Sequence, residues 1–102
     1  MMSEEQIPLS RSYPLPDGQP FDSITLREPT YAEMFMSGLG KPEEWQPTGR
    51  GTAARVVYPE VIDAYLKRIV VSPGYEYIHQ ISARDAVKLE RAVCGFFREL
   101  TD

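Results

Sequence analysis

Near its start the chain alternates. From position 7 to 15 the odd residues Ile7, Leu9, Tyr13 and Leu15 are apolar, with Arg11 as the exception, while Pro8, Ser10, Ser12 and Pro14 between them are not. Period two is the pattern of a strand with one dry face. Two of its residues are prolines, which cannot donate to a ladder, so an edge position is predicted. Pro16, Asp17 and Gly18 then supply the fixed φ and the left-handed position of a tight reversal. In "FDSITLRE" (21–28) Ile24 and Leu26 share one face, with Thr25 and Arg27 on the other. A β-hairpin over about 7–27 is therefore expected, and such a hairpin must lie on an apolar surface to persist.

The rhythm changes at Pro29, which keeps Glu28 extended. Thr30 and Glu33 have the spacing of a reciprocal capping box. Gly38 suits a left-handed C-terminal cap. A short helix is thus predicted immediately after the strand. The next stretch, "GLGKPEEWQPTGRG" (38–51), follows neither period and reads as one long irregular segment, functional or mobile. A helix over 59–70 starts at Pro59, where a missing N–H is harmless, and carries the stripe Ile62, Tyr65, Leu66 and Ile69. "SPGYEYIHQI" (72–81) reads as a turn with one short helix. Ser82 and Asp85 repeat the capping-box spacing, and Ala86, Leu89, Val93, Phe96, Phe97 and Leu100 recur at helical intervals. This predicts a helix over 82–100, about 28 Å long. The expected fold class is α+β: an N-terminal two-stranded β-hairpin packed on three to four α-helices that occupy about 30–100, ending in a long C-terminal helix. All 102 residues are assigned to a single domain.

Charge narrows the classes. The formal net charge is −4 and the pI about 5.0, which opposes phosphate-driven binding to nucleic acid or to an anionic membrane. Cys94 is the only cysteine, so no intramolecular disulfide can form and a reducing compartment is expected. "MMSEEQIPLS" is acidic and does not read as a signal peptide, and the apolar runs are too short to span a bilayer. A cytoplasmic protein is expected.

Candidate chemistry is sparse. His79 is the only histidine, and Cys94 sits in an amphipathic helix far from its N-terminus, where a thiol behaves as a small hydrophobe. "GLGK" does not make a phosphate loop, because the required glycine and hydroxyl positions hold Phe35 and Pro42. Glu43, Glu44, Glu60 and Asp63 are scattered, the last two suiting a helix N-terminus. No enzyme template is met, and no catalytic residue, metal site or cofactor is expected.

Binding features are more visible. Arg84, Lys88 and Arg91 form a basic stripe at i, i+4 and i+7, read either as a contact face or as a solvated face balanced by Asp85 and Glu90. Trp45 reads as a lid folded on the core or as an exposed anchor for a partner. Arg27 and Glu28 serve the strand-to-helix corner or a partner surface. Phe96 and Phe97 lie about 100° apart around their helix. Phe96 is placed inward with Leu89 and Val93, and Phe97 at the edge near Lys88 and Arg91, where it could dock a partner; the alternative is that both rings complete the core.

Two phrases also resemble a known family. "PLPDGQPFDSITLREPTYAEM" (14–34) is similar to the opening of the tail assembly chaperones of Mu-like and related contractile-tailed phages, through Asp17, Gly18, Ile24, Leu26, Arg27, Glu28, Pro29, Thr30 and Glu33. "ISARDAVKLERAV" (81–93) resembles the entry to that family's last helix. The segment 38–58 between them matches nothing in the pattern. The resemblance implies an assembly factor and not an enzyme: a protein that coats the tape-measure protein, keeps it soluble, and recruits tail-tube protein. Self-association through the Phe97 edge is read from the residues as a further contact, and the charge leaves no nucleic-acid or membrane partner expected. The rivals are a small DNA-binding regulator using the Arg84, Lys88 and Arg91 stripe, and an enzyme subunit completed by a partner's residues.

Overall fold

Residues 4–98 are described by a computed structural model; Leu100, assigned above to the last helix, lies outside them. Strands β1 (Glu4–Tyr13) and β2 (Phe21–Arg27) form the expected antiparallel hairpin, with Ile7 opposite Ile24 and Glu5 opposite Leu26. The register shifts between Pro8 and Tyr13. The reversal is closed by Gly18 N–H donating to Leu15 O at 3.0 Å, with Gly18 at φ 87°, a conformation that glycine reaches without steric cost.

After β2 the corner forms as the capping residues require. Glu33 N–H donates to Thr30 Oγ1 (3.2 Å) and Thr30 N–H to Glu33 Oε1 (3.0 Å). The helix that follows is a single π-helical turn, Ala32–Met36, closed by Ser37 N–H on Ala32 O at 2.8 Å. Gly38 stops it in the left-handed region, at φ 75°.

The segment 38–51 departs from expectation. It contains strand β3 (Glu43–Pro47), which pairs antiparallel with β4 (Ala53–Val57) to make a second hairpin, with Trp45 opposite Arg55. Its tip is tied by the Thr48 and Thr52 hydroxyls at 2.7 Å. The region expected to be helical from 30 onward is thus interrupted by strands. The reason is physical: Glu43 is the one buried residue of the two strands, so no dry face imposes an alternation on the sequence.

Helix α1 (Pro59–Ile69) buries Ile62, Tyr65, Leu66 and Ile69, as its stripe predicts. A short strand β5 (Val70–Ser72) then pairs with β2, making a three-stranded sheet in the order β1-β2-β5. The two-stranded hairpin stands as expected, and β5 adds a third strand that was not foreseen, because three residues are too few for a period to register in sequence. β1 keeps the edge position predicted for it, and Pro8 lies within the strand. A 3-10 segment, Tyr75–Gln80, leads to α2 (Ala83–Phe96). Its 14 residues span about 21 Å, shorter than expected, since Phe97 is already the C-terminal cap. The core lies where α1 and α2 meet the sheet: Ile24, Leu26, Tyr65, Ile69, Val93 and Cys94 are wholly buried. The architecture is α+β, with an N-terminal hairpin, four helical segments among the described residues, and the longest of them last.

Candidate partner-binding surfaces

At the corner, Arg27 leaves β2 on the face opposite Leu26 and forks onto Glu33, with Nη1–Oε1 at 3.0 Å and Nη2–Oε2 at 2.6 Å. It also donates to Glu28 O (3.2 Å) and to Arg68 O in the last turn of α1 (3.0 Å). The guanidinium therefore joins strand, corner and helix, while Glu28 stays exposed. The bonds from Arg27 outweigh the burial of Glu33, and with Thr30 they hold its carboxyl down at about 2. Arg27 is raised by the same pairing. A bidentate pair of this kind is geometrically specific, so the turn after it is held rigid. That turn carries Tyr31, Phe35 and Met36, which are 73%, 62% and 78% exposed. The centroids of the two rings lie 5.0 Å apart, with the planes tilted by 49°. This platform was not singled out from sequence; its signal was the i, i+4 aromatic spacing inside "TYAEMFM".

Along β1 the basic stripe meets the sheet edge. Asp85, read from sequence as the capping partner of Ser82 and, on one reading of the stripe, as a counter-charge on a solvated face, is wholly buried. Its carboxylate accepts from Tyr13 Oη (2.6 Å), Ser10 N–H (2.9 Å) and Ser10 Oγ (2.9 Å), with Lys88 Nζ at 3.6 Å. Lys88 Nζ donates in turn to Pro8 O at 3.1 Å. An edge strand leaves backbone groups without ladder partners, and α2 supplies them: a carboxylate for an N–H and an ammonium for a carbonyl. That is why Asp85 turns inward. Ser82 Oγ still caps Asp85 N–H at 3.3 Å, but the reciprocal half of the box is replaced by β1. Burial pushes the Asp85 carboxyl up, and the bonds from Tyr13 and Ser10 together with the Lys88 charge overcome it, leaving it at about 2. Arg84 and Arg91 remain exposed. Lys88 and Arg91 border a shallow hollow with Glu5, Ile7 and Pro8.

The second hairpin stands on an ion cluster. Glu43 accepts from Arg55 Nε and from Arg98 Nε (3.1 Å). Arg55 Nη2 also reaches Glu90 Oε1 (3.4 Å) and Cys94 Sγ (3.5 Å). The Arg98 bond, ahead of opposing burial and the Arg55 contact, lowers the Glu43 carboxyl. Cys94 thus has a cationic neighbour, yet burial first and the Glu43 charge second push its thiol up. Trp45 is no lid: it projects 63% exposed from β3. Phe96 and Phe97 are both partly buried against the core, Phe97 with its ring 5.0 Å from that of Tyr65.

The seven residues singled out from sequence do not converge. Beyond the adjacent Arg27 and Glu28, Lys88 and Arg91 border a common hollow. No group of three or more His, Cys, Asp or Glu among the described residues is placed to hold a metal ion. No helix among them is long and apolar enough to cross a membrane. Comparison with protein-family models, with curated proteins and with solved structures finds no match.

Proposed function

We propose that this chain is a phage tail assembly chaperone, acting in the cytoplasm of a bacterial host by binding and not by catalysis. In this reading it keeps a tape-measure protein soluble and recruits tail-tube subunits. The observation that supports it is the corner. Within the first stretch that carries the resemblance, 14–34, the part 24–33 folds into a bracket in which Arg27, Thr30 and Glu33 satisfy one another. That bracket fixes Tyr31, Phe35 and Met36 outward. Rigid aromatic side chains exposed together are the kind of anchor that partner surfaces use, because little side-chain entropy is lost when they dock. The DNA-binding rival is less well served, since Lys88 is engaged with Pro8 O and Asp85.

Co-expression tests the reading. The chain should hold the long helical protein encoded in the same tail-gene cluster in the soluble fraction and co-purify with it. Phe35→Ser should leave the thermal transition of the isolated chain in place while that partner moves to the pellet. A partner equally soluble without the chain would overturn the proposal, and salt-dependent binding of duplex DNA would favour the regulator.

A further inference from the structure

A groove of about 460 Å³ is lined by α1, by α2, by Val57 of β4 and by Ile78 and His79 of the 3-10 segment. Ile62, Leu66, Ile78 and Leu89 show it one side while belonging to the buried core, so its floor is as rigid as the core itself. The α2 wall is apolar and open: Ala86 is exposed, and Val87 is 41% exposed. Two carboxylates sit on opposite walls, Asp63 on α1 and Glu90 on α2. Asp63 accepts from Tyr75 Oη at 2.7 Å, and Glu90 faces Arg55 at 3.4 Å. His79 is the remaining titratable lining residue, and neither lysine nor arginine lines the groove.

We infer that this groove seats an amphipathic helix of a partner protein, apolar on the seated face and flanked by lysine or arginine. Three arguments lead there. The walls are helices whose backbone groups are already paired, so an extended guest would leave its own N–H and C=O groups dry and unsatisfied; a helix brings them satisfied. The short side chain of Ala86 lets a guest helix approach at the spacing of packed helices, roughly 8–10 Å between axes. The Asp63 carboxylate favours a cationic flank on the α1 rim and disfavours an acidic one, while Glu90 on the other rim is shared with Arg55. The α1 wall runs from Pro59 to Leu66, which gives a seat about 10 Å long, or about two helical turns. The inference does not depend on the tail-assembly reading, because the groove defines its guest whichever protein supplies it.

The test uses the isolated chain and two capped synthetic helical peptides of about three turns. Both have leucine on one face; one carries lysine flanks and the other glutamate. In an NMR titration the leucine–lysine peptide should bind and shift the amides of Val57, Ala86 and Val87, while the leucine–glutamate peptide binds at least about tenfold more weakly. Ala86→Arg, at an exposed position, should abolish binding with the helical circular dichroism unchanged, and Val87→Lys is the second variant should the first unfold. Asp63→Asn together with Glu90→Gln should narrow the gap between the peptides. Equal affinities, shifts confined to 31–36 or to the β1 edge, indifference to Ala86→Arg, or no binding of either peptide would each overturn the assignment. A concentration-dependent dimer broken by Ala86→Arg would give the groove to a second copy and overturn it too. None of these readouts involves a tape-measure protein, so failure here and failure of the co-expression test are distinct.

Discussion

Between them β1 and β2 bury Ile7, Tyr13, Phe21, Ile24 and Leu26, whereas across β3 and β4 the only buried residue is Glu43. Both are antiparallel hairpins of one chain. The first gains its stability from apolar area removed from water, roughly 25 cal/mol per Å², and α2 protects its edge with Asp85 and Lys88. The second is held at its base by ion pairs around Glu43 and by Tyr58 N–H on Pro42 O at 2.9 Å. A two-stranded hairpin whose described contacts with the core are confined to its base is marginal alone, so the second hairpin should open without the core while the first cannot.

Four experiments can break or sharpen that contrast. Leu26→Ala should cost roughly 2–5 kcal/mol in urea denaturation, whereas Val56→Ala, half-buried in β4, should cost less than about 1 kcal/mol; similar losses would remove the distinction.

Acid should come next in effect. Glu33 and Asp85 have ordinary values of 4.5 and 3.8, and both are lowered to about 2 in the fold. On acidification the unfolded chain therefore takes up their protons first. Their contribution is complete above about pH 4.5 and drains away as pH falls towards about 2. Tm measured across that window should fall with pH, and Asp85→Asn should flatten part of the slope. A pH-independent Tm would mean that these carboxylates do not hold the corner and the edge.

Glu43→Gln should act locally, at a cost on the order of 1 kcal/mol, because Arg55 and Arg98 can turn to water. Amide exchange should quicken in β3 and β4 with little change in β2, and trypsin should cut first after Arg50 in the exposed tip. A global loss of protection would show the second hairpin to be integral to the core. Trp45→Ala should change stability least, by less than about 0.5 kcal/mol; a larger loss would mean that the indole packs in solution.

Elements with a dry face were legible. The β1–β2 hairpin, the α1 stripe and the caps at Thr30 and Ser82 follow from local spacing, since side-chain period and capping geometry are properties of short stretches. The long α2 was legible in kind but not in length, because the apolar rhythm of the sequence runs on to Leu100 while the helix caps at Phe97. The second hairpin was not legible, since exposed strands carry no alternation and its anchor is a set of long-range ion pairs. Nor was the aromatic platform at Tyr31 and Phe35, because a ring at helical spacing reads as core until the fold shows nothing packed over it.

By itself, then, the sequence determined where the chain reverses, which stripes face inward, and that Thr30 and Glu33 would cap each other. Only the tertiary structure decided the partners of its charges. Arg27 binds Glu33 and Arg68 O instead of water, Asp85 leaves solvent for the backbone of β1, and Glu43 gathers two arginines from 12 and 55 residues away. Local spacing sets periodicity because neighbouring side chains share one backbone geometry. Charge pairing depends on which distant backbone groups are left without a ladder, and that is known only once the chain has folded.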